Sequence, residues 1–119
     1  MAITTLYGIP NCDTVKKART WLDGHGVAYR FHDFKRDGVP ADALTQWLQR
    51  AGRDTLINRK GTTWRQLSDA QRAAVVDDRS AAALLRAQPS LIKRPVVEWA
   101  DGRLTVGFDA PGWAAALKP

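Results

Sequence analysis

The sequence predicts an α/β domain, on three observations. A short β-branched run and an aromatic run alternate with helical periodicity near the N-terminus. The middle of the chain reads as helical. Two apolar runs near the C-terminus flank an Asp-Gly pair, a strong hairpin signal. The expected order is strand, helix, strand, helix, a helical stretch, two strands and a closing helix. A chain of 119 residues fits one domain, residues 1–119, without linkers or internal repeats.

Ile3-Thr4-Thr5-Leu6-Tyr7 reads as the first strand, stopped by Gly8 and Pro10. Beyond Pro10-Asn11-Cys12 the period changes: Val15, Ala18, Trp21 and Leu22 recur at helical spacing, and Gly24-His25-Gly26 ends the helix. A second strand is expected over Ala28–Phe34, and strand-helix-strand order predicts a right-handed parallel βαβ unit. Lys35–Pro40 reads as a loop. Pro40 can open a helix whose apolar side is Leu44, Trp47 and Leu48. From about Arg53 to Pro89 the chain looks mainly helical. Ser68 with Gln71 forms a capping-box pattern before Ala73–Val76, and Ser80 is the expected cap of a helix through Ala81–Leu85 that Pro89 ends. Val96–Trp99 and Leu104–Val106 flank Asp101-Gly102, and Pro111–Leu117 would be the last helix.

Composition narrows the class. Apolar residues make up 45% and charged residues 25%, a globular balance that argues against disorder. The N-terminus lacks the basic start and long apolar core of a secretory signal, and no apolar run approaches a membrane span. One cysteine permits no internal disulfide. These features lead us to expect a cytoplasmic protein with no membrane partner. The net charge of +6, from 18 basic and 12 acidic side chains, suits an anionic partner. The cations are scattered, without a basic tail or basic-aromatic repeat, so nucleic-acid binding is not expected.

Cys12 is the chemically conspicuous residue. A cysteine between a strand and a helix start meets unpaired N–H groups and the positive end of the helix dipole, which favour a thiolate. Lys16, Lys17 and Arg19 can add positive charge. The competing reading is a small, inert, buried residue, as many free cysteines are. Other chemistries fail on counting. Cys12, His25 and His32 make a poor zinc set, and no metal is expected. A phosphatase-type loop needs cysteine, five residues, then arginine, but that position is Ala18. No Gly-Lys-Ser/Thr phosphate loop is present, and Val15 stands where a CxxC pair needs its second cysteine.

Leu6-Tyr7-Gly8-Ile9-Pro10-Asn11-Cys12-Asp13-Thr14-Val15-Lys16-Lys17-Ala18 resembles the opening of the arsenate reductase (ArsC)-like family, and most of all its YffB branch. Leu56–Trp64, with Asn58-Arg59-Lys60-Gly61, and Pro89–Val97, with Lys93-Arg94-Pro95, match further family motifs in the expected order. The resemblance covers nearly the whole chain. It implies a thioredoxin-like (glutaredoxin-like) fold with a mixed four-stranded sheet and a helical insert at about residues 53–89. It also implies that Cys12 is a nucleophile and that Arg59 and Arg94 hold an oxyanion. Guanidinium forks suit that task, though such arginines can also simply pair surface carboxylates. Pro95 resembles the cis-proline of thioredoxin folds, with Pro10 and Asn11 shaping the turn beside the thiol.

The departures matter equally. Arsenate reductases of this type carry a third arginine after the hairpin, where this sequence has Val106. The resemblance therefore points to a glutathione-dependent thiol or oxyanion reductase acting on a small anionic or disulfide substrate. Glutathione is implied as co-substrate because no second cysteine exists. Arg59, Arg94, Lys16 and Lys60 could hold its carboxylates or the substrate. The alternative is a non-catalytic regulator, since the related Spx branch binds RNA polymerase. Arsenate reduction is a third, narrower possibility.

Overall fold

The computed structural model describes residues 3–117, which form two compact units: residues 3–33 with 94–117, and residues 34–93.

The first unit is built on a four-stranded mixed sheet. Its strands are β1 (Thr4–Gly8), β2 (Tyr29–Asp33), β3 (Val96–Glu98) and β4 (Leu104–Val106), in the order β2-β1-β3-β4. β1 and β2 run parallel, with Leu6 opposite Phe31; β1–β3 and β3–β4 are antiparallel. This is the α/β, thioredoxin-like arrangement that the sequence predicts. Side chains alternate across the pleat. Leu6 and Val97 therefore share one face and bury themselves against Val15, Ala18 and Leu22 of helix α1 (Asp13–Gly24), with Trp99 and Trp113 completing the core. Trp113 lies on the closing helix, Ala110–Leu117. It meets Trp21, Trp99 and Phe108 edge-on, at centroid distances of 5.5, 5.1 and 4.8 Å, which is a favoured aromatic geometry.

Local chemistry sets the boundaries. α1 ends as expected around Gly24–Gly26: Gly26 adopts φ +68°, and the N–H groups of Gly26 and Val27 return to the carbonyls of Asp23 and Leu22. That paired closure favours glycine at the left-handed position. In the hairpin Gly102 takes φ +92° and donates to the Trp99 carbonyl, while Trp99 donates to Arg103, a three-residue turn with a glycine bulge.

The second unit is helical. It contains α2 (Phe34–Asp37), α3 (Ala41–Ala51), α4 (Arg53–Leu56), α5 (Thr62–Gln66), α6 (Asp69–Ala73) and α7 (Asp78–Ala87), then a 3₁₀ turn, Pro89–Leu91. Leu44, Trp47 and Leu48 are buried as the spacing of α3 predicts, and α3 packs on α7, whose Ala81 and Leu85 are inaccessible. The unit takes in α2 and α3 as well as the stretch 53–89.

Three expectations need correction. Residues 35–37 are not loop but one helical turn, because Phe34 is buried against Trp47 and Gly38 N–H closes on the Phe34 carbonyl. Ser80 is not the cap of α7. Asp77 is, accepting the Ser80 N–H at 2.8 Å while the Ser80 hydroxyl receives the Asp77 N–H, a reciprocal box three residues apart. The Ser68–Gln71 box forms as expected, but α6 ends at Ala73, and Val76 N–H turns to the Ser80 hydroxyl instead of continuing the helix. No described helix is long and apolar enough to cross a membrane.

Candidate active site

Cys12 sits where β1 turns into α1. Its N–H donates to the Ile9 carbonyl at 3.3 Å, closing Ile9-Pro10-Asn11-Cys12 into a tight turn. Ile9 is buried and anchors the turn, while Pro10 and Asn11 are exposed on it. Gly8 is required just before. A Cβ there would lie 2.8 Å from Val15 Cγ2, and Val15 is wholly buried and β-branched. The missing side chain lets the end of β1 approach the first turn of α1, and that approach positions the cysteine.

Cys12 is itself the N-cap of α1, with extended backbone angles (φ −98°, ψ 125°) and its carbonyl accepting the Lys16 N–H at 2.9 Å. An N-cap is normally an oxygen-bearing side chain that satisfies the helix's first N–H groups. Here a sulfur stands at that position without a side-chain capping hydrogen bond. Partial burial pushes the thiol's pKa up. The Val15 N–H, the Arg94 guanidinium and the Thr14 N–H together outweigh burial and hold it below the ordinary cysteine value. The sulfur is half-buried, and these neighbours favour its thiolate form.

Arg94 is half-buried and immediately precedes Pro95, and the Arg94–Pro95 peptide is cis. Pro95 is buried, and its carbonyl accepts the Gly107 N–H at 2.8 Å. Arg94 is thus carried into β3 by a tied backbone and meets the thiol from there. Lys16 is exposed one turn along α1. Arg19 is committed elsewhere: its Nε donates to the Tyr29 hydroxyl at 3.0 Å and its guanidinium lies 4.2 Å over Phe31. Val106, which stands where the resemblance expects a third arginine, is paired with Val96 in the β3–β4 ladder.

Arg59 and Lys60 belong to the second unit. Ile57 and Ile92 form an antiparallel bridge, Asn58 N–H donates to Leu91 and Lys93 N–H to Leu56. These bonds bring Arg59, Lys60 and Lys93 to one cavity of about 300 Å³, with Asp54 and Asn58 also on its wall. Arg59 pairs with Asp54 at 3.0 Å and lies 5.4 Å from the Trp64 ring centre. Among the site residues expected from the sequence, the structure thus brings Cys12 to Arg94 within the first unit and Arg59 to Lys60 within the second.

Two features are not visible in the sequence. Lys93 lines the cation cavity, and its place beside Arg94 in the third motif was the available signal. Tyr7 and Glu98 form a pair on the sheet face opposite Leu6, the Tyr7 hydroxyl donating to Glu98 Oε1 at 2.6 Å. Burial, then the Glu98 carboxylate, pushes the phenol well above its usual range, so it stays protonated. Thr5 pairs with Glu98 and Tyr7 with Val96, so the two side chains are diagonal neighbours, a proximity that only strand register reveals. Among the described residues, no group of three or more His, Cys, Asp or Glu side chains could hold a metal ion.

The solved structure of the YffB protein is similar to this chain at 52% identity and a TM-score of 0.90, covering 97% of this chain and 99% of its own. An arsenate reductase (ArsC) related protein from Brucella melitensis matches at 47% identity and a TM-score of 0.75, with 99% and 97% covered. The global transcriptional regulator Spx of Staphylococcus epidermidis is 27% identical over 110 residues, 90% of this chain and 81% of Spx. The model of the ArsC family matches residues 7–116, and this chain belongs to the ArsC family.

Proposed function

We propose that this protein is a glutathione-dependent thiol reductase with Cys12 as its nucleophile. The observation that carries the reading is the environment of that sulfur, an N-cap position facing the N–H groups of Val15 and Thr14 and the guanidinium of Arg94. In the reaction proposed, the Cys12 thiolate attacks the glutathionyl sulfur of a mixed disulfide. An S–S bond to Cys12 forms, and the substrate leaves as a thiolate that takes up a proton. A glutathione thiolate then attacks the same glutathionyl sulfur, releasing Cys12 and forming oxidised glutathione. The disulfide passes from the substrate to Cys12 and then to glutathione, with one free glutathione consumed per turnover, so one protein cysteine suffices. Arg94 stabilises the thiolate each time it is released, and Arg59, Lys60 and Lys16 are proposed to hold carboxylates of the tripeptide.

Incubation with oxidised glutathione followed by mass spectrometry tests this. One glutathione added at Cys12, removed by reduced glutathione and absent in Cys12→Ser, is the expected result. No adduct at neutral pH overturns the proposal.

A second reading rests on the similarity to Spx, which covers nine-tenths of this chain. It makes the protein a regulator that binds RNA polymerase without turnover. Recovery of polymerase subunits on immobilised Cys12→Ser protein, with no reductase activity in the wild type, would favour it. Arsenate reduction is supported by family membership and weakened by Val106. Protection of an arsenate-sensitive strain decides it.

A further inference from the structure

We infer that, in the anion site proposed around Arg59, Asp54 is a built-in competitor for the ligand and Lys93 is a ligand-holding cation. This deepens, and rests on, the anion-holding role proposed for Arg59. The ligand class is a small carboxylate- or phosphate-bearing anion.

The cavity of about 300 Å³ is lined by three cations, Arg59, Lys60 and Lys93, and one carboxylate, Asp54. Asp54 holds Arg59 at 3.0 Å, while Lys60 and Lys93 have no ion-pair partner among the described residues. The cavity therefore carries two uncompensated positive charges even with Asp54 in place. The backbone that carries them is tied down. Lys93 N–H is bonded to Leu56 at 2.8 Å and Asn58 N–H to Leu91 at 2.7 Å. Asn58 Oδ1 accepts the Lys60 N–H, and Arg65 donates to the Lys60 carbonyl at 2.8 Å. Trp64, 5.4 Å below the guanidinium, gives Arg59 a flat face to rest on.

The Asp54–Arg59 pair is weak by its exposure. Asp54 is 83% exposed and Arg59 44%, and ion pairs of this kind contribute little because water screens them and the side chains lose freedom. An incoming anion meets Arg59, Lys60 and Lys93 together, whereas Asp54 meets Arg59 alone. The external ligand therefore displaces the internal one, and Asp54 lowers the affinity without abolishing it. In the absence of ligand, Asp54 keeps the guanidinium oriented over the cavity.

Titration with S-methylglutathione, which has carboxylates but no free thiol, and separately with inorganic phosphate tests this at fixed ionic strength. The readout is the indole N–H resonance of Trp64, assigned with Trp64→Phe. Asp54→Asn should tighten binding about two- to fivefold, and Lys93→Met should weaken it by a similar factor. Asp42→Asn makes the same change in net charge outside the cavity and should leave affinity unchanged. The tighter-binding probe identifies the source of the anion. The inference is overturned if Asp54→Asn binds no more tightly than wild type, if Asp42→Asn tightens binding equally, or if Lys93→Met has no effect. An anion site that follows this pattern while Cys12 forms no glutathione adduct sinks the reductase reading alone. A normal adduct with no response to Asp54→Asn sinks this inference alone.

Discussion

The Arg94 guanidinium meets the sulfur of Cys12, although the two residues are 82 positions apart in the chain. One is the N-cap of α1 and the other leads into β3, and the antiparallel pairing of β3 with β1 carries them to the same end of the sheet. A helix start by itself favours a thiolate modestly; a partly desolvated guanidinium adds a full charge. Arg94→Ala should therefore raise the pH at which Cys12 ionises, and Arg94→Lys should restore part of the shift. The pH profile of alkylation by iodoacetamide measures it, and identical midpoints for wild type and Arg94→Ala would count against the pairing.

The same shift links stability to pH. In the folded protein Cys12 ionises below its ordinary value, so the unfolded chain binds more protons between the two. The stabilisation is fully present above the unfolded thiol value of about 8.5 and is lost as pH falls through the folded value. Across that window wild-type stability should rise with pH relative to Cys12→Ser. Urea denaturation from pH 6 to pH 9 supplies the comparison, and parallel curves would rule the linkage out.

Gly8→Ala should destabilise the protein by about 1–3 kcal/mol, as overpacking does, because a Cβ would press 2.8 Å from Val15 Cγ2. The double variant Gly8→Ala, Val15→Ala should cost less than the sum of the two single changes, because the facing side chain shrinks. Chemical denaturation reports the energy, and alkylation kinetics report whether Cys12 has moved. A neutral Gly8→Ala would show that the strand end has slack.

Trp113→Ala should cost about 3–5 kcal/mol, the range for deleting a buried aromatic. Its ring is 2% exposed and lies edge-on to three others. Trp113→Phe should retain a good part of this stability. Thermal unfolding distinguishes the two, and equal losses would mean that the edge-on contacts add little.

Asp77→Ala should lower the midpoint of thermal unfolding through loss of the α7 cap. Ser80→Ala, which removes the returning hydroxyl, should be no worse, since Ser80 is the third residue of the helix and not its cap. A larger loss in Ser80→Ala than in Asp77→Ala would reverse that assignment.

Much of the fold was legible in the sequence because it rests on local rules. The apolar spacing of α1 and α3, the glycine at φ +68° after α1 and the Asp-Gly hairpin each act within a few residues, and each forms where expected. The loop assignment at 35–37 failed because a buried Phe34 overrode polar composition, and the α7 cap was misassigned because two capable residues stood three apart. These are choices among near-equal local alternatives, decided by contacts.

For the site, the sequence by itself determined that one cysteine stands between a strand and a helix, with no second thiol to resolve it. Chain order alone establishes that much. Only the tertiary structure decided that Cys12 takes the N-cap position of α1, that Arg94 reaches its sulfur and that Arg19 is held by Tyr29 and Phe31. It alone gathered Lys93 with Arg59 and Lys60, and Tyr7 with Glu98. The physical reason is that charge and hydrogen bonding act over a few ångströms of space. Strand register and backbone pairing, not sequence separation, set which groups come that close.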